Sequence, residues 1–520
     1  MAHDVAIIGS GFAGSLLAMI ARRQGRSVIL LEKGAHPRFA IGESSTPLSN
    51  LLLEDLSLRY DLPGILPLTK WGAWQRAFPD LDCGLKRGFT FYHHRFGHRA
   101  ATSANREDQL LVAASPHDGI ADTHWLRADV DHHFVREAQK IGVEYLDRVE
   151  LDEAVEQNDE VRLHAKRQGR ELQITARFVV DASGPRGFLH RALGLPEIPL
   201  PDFPPTQGLY THFRGVERLE NIFGQNDAEP PYPIDDAAVH HVFDGGWIWV
   251  LRFRSGITSA GVAMVDSLAA QMRLHEGAAA WERLLERLPT VRDQFAGAAA
   301  IRPFICAPRL AFCSGAVTGR RWALLPSAAG FVDPLLSTGF PLVLLGVARL
   351  AKVMEEHWDS SEFDARLTAY SQRTCGELFA TARLIGSLYA AMDNFPLFVS
   401  LSLLYFAAAS FSETARRLGN PHLAGSFLLH DHPALRTQLP GLLERARVAR
   451  SKPDAENLRE DILRAIEPFN VAGLGRPERR NWYPVDAEDL LSAAQKVEAS
   501  REEIRDLLDR SGFWASGASA

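Results

Sequence analysis

The sequence predicts an α/β protein: a parallel-sheet domain interrupted by a second, mixed sheet and followed by a mostly helical C-terminal region. Three observations carry this. A short apolar run at residues 4–8 leads through Gly9-Ser10-Gly11-Phe12-Ala13-Gly14 into an apolar-periodic stretch holding Leu16, Leu17, Met19 and Ile20. Between about 197 and 305 the pattern turns to alternating strands, as at residues 246–253 and 259–265. From about 354 onward Leu, Ala, Arg and Glu recur at helical spacing.

The elements follow in order. Residues 4–8 form a strand, and the glycine-rich turn opens a helix. Residues 27–31 form the next strand, which ends in Glu32 and is followed by Lys33. This is a βαβ opening. Gly9 permits the tight turn, Gly11 lets the backbone approach a pyrophosphate, and Gly14 lets helix and strand pack closely; Ala13 lies in the same turn. The helix N-terminus offers free N–H groups to the phosphates, and Glu32 has the spacing of an acid that bonds an adenosine ribose.

Further on, Trp125-Leu126-Arg127 leads into a helix through Phe134, Val135 and Ala138. Residues 178–184 form a strand that ends in the Asp181–Gly184 turn. Residues 322–325 form another, before a turn holding Pro326, Gly330 and Asp333 and a helix from Gly339 to about Val353. The expected division is a core over 1–353, with the inserted sheet at about 197–305, and a helical region over 354–520.

Bulk properties narrow the class. The chain has 520 residues, a net charge of -7 and four cysteines. No polyanion is implied, so no nucleic acid is expected. The cysteines form no C-x-x-C pair, which argues against a metal site and fits a reducing cytoplasm. No leader segment is visible before the first strand. Residues 396–411 carry no charge but fall short of the ~20 residues of a membrane span, so a buried helix is expected rather than a span. Residues 516–520 are expected to fray.

Several motifs resemble those of FAD-dependent monooxygenase-like flavoproteins. Arg127, in Trp125-x-Arg127-x-x-x-Asp131, is similar to their flavin-contacting arginine. Asp181-Ala182-Ser183-Gly184 resembles their mid-chain turn, and residues 327–334 resemble their late flavin motif, with Pro326-Ser327 where Gly-Asp is usual. Four stretches resemble the flavin-dependent halogenases, in their phenol-acting branch: Gly42-Glu43-Ser44, Gly84-Leu85-Lys86-Arg87-Gly88-Phe89-Thr90-Phe91, Gly246-Trp247-Ile248-Trp249 and Asp333-Pro334-Leu335-Leu336-Ser337-Thr338-Gly339. Leu251-Arg252 replaces the family's Ile-Pro.

The resemblance implies an FAD-binding Rossmann-like domain of the monooxygenase type. It implies FAD used as FADH2 from a separate, transiently bound flavin reductase, a chloride or bromide ion, and a small aromatic substrate. Halide would rest at Ser337, Thr338 and Gly339, where a helix cap is the plainer role. Hypohalous acid would be relayed by Lys86, which without the motif would read as a surface lysine. Trp247 and Trp249 share a strand face, either as core aromatics or as a block between substrate and flavin. Phe91 and His94 would line the substrate side. The family's tryptophan-acting members carry a Glu where this chain has Leu336, so no carboxylate is expected to assist Lys86, which shifts the expectation to phenols. An NAD(P)H-dependent flavin hydroxylase or reductase and a non-catalytic flavoprotein stay open, as do monomer and homodimer.

Overall fold

The computed structural model describes residues 2–100, 105–157, 159–224, 229–449 and 451–514; the stretch expected to fray, 516–520, lies outside them. The first sheet has seven strands. Glu144–Leu146, Val28–Leu31, Ala2–Ile8 and Arg170–Asp181 lie side by side and run parallel, and Trp322–Leu324 pairs parallel with the last of them. Val5, Ala6 and Ile7 are fully buried because the sheet is covered on both faces there.

The sheet is not parallel throughout. Arg170–Asp181 also pairs antiparallel with Glu160–Arg167, which pairs with Val149–Gln157. This meander is rich in charge, and many of its side chains face water. Only its inward positions are apolar, so a run-based reading of buried strands passes over it.

The second sheet has nine strands. The 197–305 segment supplies Thr206–Arg214, Ala238–Phe243, Gly246–Arg252, Thr258–Val265 and Ala299–Ala300. Ile305–Ala307, Gly88–His93, Gln109–Ala113 and Trp482–Tyr483 complete it. Gly88–His93 runs parallel to Ala238–Phe243, so the second half of the lysine motif and the Trp-x-Trp strand enter one sheet, while Cys83–Lys86 forms a separate two-stranded sheet with Asp122–Trp125.

Helices follow at Gly339–His357, Phe363–Ala390 and Phe395–Arg417. The last is long and apolar enough to cross a membrane, yet 83% of its most apolar window is buried within the protein. It lies along one face of Gly88–His93. Phe406 meets Phe89 at 5.2 Å, Phe398 meets Phe91 at 5.9 Å, and Phe395 stacks on His93 at 5.1 Å. Strand period two sends the intervening residues to the other face. There Tyr92 stacks on Phe223, and His94 hydrogen-bonds His241 at 2.9 Å.

Candidate active site

The glycine turn is bare backbone facing two guanidinium groups. Gly9 has φ +100°, and a Cβ there would meet the Ala182 carbonyl oxygen at 2.7 Å. A Cβ on Gly14 would strike the Gly9 carbonyl. Beyond Gly11 stand Arg127 Nη2 at 3.4 Å and Arg38 Nη2 at 3.8 Å from the position a Cβ would take. Arg127 is held by both oxygens of Asp131 (2.9 and 3.0 Å) and donates to the Ile41 and Gly42 carbonyls at 2.9 Å each. The first N–H of the helix, on Phe12, donates to Asp131 Oδ1 at 3.0 Å.

Glu32 stands at the end of its strand. Its Oε2 accepts from Ser10 N and Oγ and from Arg38; its Oε1 accepts from Gly34 N. Burial works to raise its pKa, but Arg38 and these donors outweigh it and hold the carboxyl below its ordinary range. Lys33 is exposed, and Ala13 is buried. Glu43 reaches the second sheet, where it pairs with His212 at 2.9 Å, and Ser44 bridges to His124.

Lys86 is fully buried at the end of Cys83–Lys86, directly opposite Asp122 in the antiparallel partner Asp122–Trp125. Its ammonium donates to the Ser45 carbonyl and sits 3.9 Å from the centre of the Phe89 ring. Burial pulls its pKa down to about 7, and the charge of Asp122 works against that fall. Burial likewise pushes the Asp122 carboxyl up to about 7, with Lys86 opposing. Two neighbouring imidazoles, His124 and His240, are pushed down to about 3 by burial and then by Lys86, so both stay neutral.

Beside this pair lies a cavity of about 210 Å³, whose lining includes Phe89, Val112, Asn50 and Asp122, then Tyr405, Phe406, Ala409, Ser410 and Glu413, and C-terminal residues such as Leu474, Tyr483 and Leu508. Lys86 itself is set behind Phe89 and Asp122. An aromatic wall continues from there: Phe91 stacks on His240 at 4.4 Å, His240 on Trp247 at 5.2 Å, and Trp247 stands 5.6 Å from Trp249. Trp247 Nε1 donates to Asp333 Oδ1 at 3.2 Å. The aromatic wall thus ends at the entrance to helix Gly339–His357. There Leu336 and Ser337 have φ of 62° and 54°, a left-handed pair just before the helix, and nothing lies within 4 Å of where a Cβ on Gly339 would point.

Comparison with known proteins agrees with this layout. Residues 4–325 match the model of the family described as FAD dependent oxidoreductase. Monodechloroaminopyrrolnitrin halogenase PrnC of Pseudomonas fluorescens is 28% identical over 408 residues, covering 77% of this chain and 70% of its own. Tetracycline 7-halogenase of Kitasatospora aureofaciens is 28% identical over 418 residues, covering 78% and 73%. The chain belongs to the FAD-dependent oxidoreductases, among the flavin-dependent halogenases. Its fold is shared with halogenase PltM, solved in complex with phloroglucinol and FAD, at a TM-score of 0.80 and 23% identity over 92% of this chain and 99% of that one.

The residues of this halogenase fit FAD. The open backbone at Gly9 and Gly11, the two arginines beyond it and Glu32 offer a pyrophosphate cradle and a ribose acceptor. Other expected cofactor residues make these contacts within the protein. Asp181 gives one oxygen to Ser183 and the other to the Leu189 N–H, at the start of a short helix. Gly184 has φ +91° in that turn. Pro326 packs against Gly346, and Gly330 packs against Leu378. Asp333 is enclosed by Leu335 N, Trp247 and Tyr389.

Two expectations need correction. His94 does not face the substrate side: it follows Phe91 by three residues, so the pleat sends it to the opposite face, and His240 occupies the wall instead. The carboxylate expected to be missing beside Lys86 is present as Asp122, brought in by strand pairing rather than by the position of Leu336. Asp122, Asn50, His240, Tyr405 and Glu413 escaped the sequence reading because each depends on long-range packing. Asp122 did leave a trace, three residues before the Trp125 of the flavin motif.

Proposed function

We propose that this halogenase installs chloride or bromide on a small phenolic arene held in the cavity beside Lys86. The observation that carries this reading is the fully buried Lys86, its pKa lowered by burial, directly behind Phe89 and Asp122, which line an aromatic-walled cavity. FAD, delivered reduced by a separate reductase, would supply with O2 the oxidation that turns halide into hypohalous acid.

The remaining work falls to the chain. The turn at Gly9, Gly11, Ala13 and Gly14, with Arg127 and Glu32, orients the cofactor. Halide rests at Ser337, Thr338 and Gly339 against N–H groups of the helix entrance, which attract an anion without trapping it as a full countercharge would. Trp247 and Trp249 fill the space between that entrance and the cavity, which keeps the arene from the oxidising centre. Lys86 in its ammonium form hydrogen-bonds the oxygen of hypohalous acid and makes hydroxide a better leaving group. Burial lowers the pKa of the lysine and so brings its neutral form closer to hand than in an exposed lysine. Phe89, Tyr405 and Phe406 present ring faces and edges to a flat substrate.

The test supplies purified protein with FADH2, O2 and either chloride or bromide, over a panel of phenols, with products read by mass spectrometry. Mono-halogenated phenols are expected. Hydroxylated products, or NAD(P)H consumed by the protein without a reductase, would replace this reading with the hydroxylase alternative.

A further inference from the structure

We propose that Asp122 is a second catalytic residue: it accepts the ring hydroxyl of the substrate and takes its proton as the carbon–halogen bond forms, an assignment that rests on the halogenase reading above.

Three features of the site converge on this. Asp122 is 4% exposed and lines the cavity. Its Oδ1 accepts from Asn50 Nδ2 at 2.7 Å, which fixes the plane of the carboxylate. Its Oδ2 is buried and finds no donor among the described residues, since the Lys86 ammonium is turned to the Ser45 carbonyl. A buried carboxylate oxygen left without a donor is costly, and a ligand that brings one removes that cost.

The chemistry of the wall selects the donor. An ionised carboxylate only accepts hydrogen bonds, so the ligand must present O–H or N–H at that point. Glu413, from helix Phe395–Arg417, adds negative charge nearby, so a carboxylate-bearing arene is disfavoured. The charged and titratable groups facing Asp122 are Lys86 from the opposite strand and Tyr405, Glu413 and Arg417 from that helix; Asn50 from helix Pro47–Arg59 adds an uncharged donor. Burial raises the basicity of Asp122 above that of an ordinary carboxylate, which suits a proton acceptor.

The step balances. The phenol O–H bond breaks and its proton goes to Asp122 Oδ2, while the oxygen electrons push into the ring. The ring carbon bonds the halogen of hypohalous acid. The oxygen–halogen bond breaks, and the departing hydroxide takes a proton from the Lys86 ammonium and leaves as water. The ring C–H proton then passes to the Lys86 amine, its electrons restore the aromatic ring, and Asp122 returns its proton to the phenol oxygen.

The experiment compares bromination of resorcinol and of its dimethyl ether by the FAD-loaded enzyme supplied with FADH2, O2 and bromide. In Asp122→Asn the turnover of resorcinol is expected to fall by roughly 100-fold, the order of a lost general base, with a much smaller fall for the ether. Asp122→Glu should recover part of the loss. In the unaltered enzyme the preference for resorcinol over its ether should fall as the pH drops through the titration of Asp122, which burial raises above the ordinary carboxylate range, a readout that needs no variant. Resorcinol bromination within about threefold of the unaltered enzyme in Asp122→Asn, or a preference flat from about pH 5 to about pH 9, overturns the assignment. If the unaltered enzyme brominates neither arene, the halogenase reading of this cavity fails and takes the Asp122 assignment with it.

Discussion

The Trp247 indole N–H donates to Asp333 Oδ1 at 3.2 Å, while Tyr389 donates to Oδ2 at 2.9 Å. Two motifs far apart in the chain are therefore one buried unit at the entrance to helix Gly339–His357. The Trp-x-Trp strand is thereby anchored to the segment proposed to hold halide.

Trp247→Phe keeps the ring in the wall but removes the donor. The expected loss is about 1–2 kcal/mol of stability, the cost of an acceptor left short of a partner. Urea unfolding of the purified variant measures it.

Asp333 should give the fold a pH dependence. Burial outweighs its three donors and raises its carboxyl to about 7, well above the ordinary carboxylate range. Stability from a group raised in this way is complete below the unfolded value and is lost as pH rises through the folded one. Thermal unfolding midpoints of the native protein, relative to Asp333→Asn, should therefore fall as pH rises from the ordinary carboxylate range to about 7 and level off above it. Parallel curves across that range would exclude a buried, titrating Asp333.

Lys86→Ala should retain FAD and consume O2 with FADH2 but form no halogenated product. Product mass spectra beside an oxygen-electrode trace separate the two. The charge of Asp122 supports the lysine pKa, so Asp122→Asn should move the basic limb of the halogenation rate profile to lower pH. A basic limb that stays in place would show that the two groups do not sense each other.

Gly14→Ala places a Cβ against the Gly9 carbonyl inside the phosphate turn. FAD affinity should drop by at least about tenfold in a fluorescence titration, since about 1.4 kcal/mol of strain suffices.

Ser337 has φ 54°, a conformation glycine adopts without penalty. Ser337→Gly should raise stability by about 0.5–1 kcal/mol and, on the proposal that backbone N–H groups rather than the hydroxyl meet the anion, keep halide use. A large rise in the halide KM would reassign the contact to the hydroxyl.

The nucleotide half was legible because its signals are local. Glycine spacing, apolar strand runs and the acid at position 32 each act within a few residues of chain. The lysine motif was also legible, and burial gives it the physical character that a motif cannot carry. The face of a strand is legible from its period of two: His94 lies three residues past Phe91 and so on the opposite face, where it meets His241. The carboxylate beside Lys86 was hidden. Its position is set by the register of two strands separated by a long stretch of chain, and no local pattern records which residue stands opposite which.

The cavity draws on several pieces of backbone. Strands carry Phe89 and Asp122, with Lys86 behind them, helix Pro47–Arg59 carries Asn50, and Tyr405, Phe406, Ala409 and Ser410 come from a single helix. The groups proposed to react thus stand on backbone other than that last helix. Enlarging Ala409 or trimming Phe406 would change which arenes enter while the reacting groups keep their places. Libraries confined to that helix face would therefore explore substrate range and spare the chemistry.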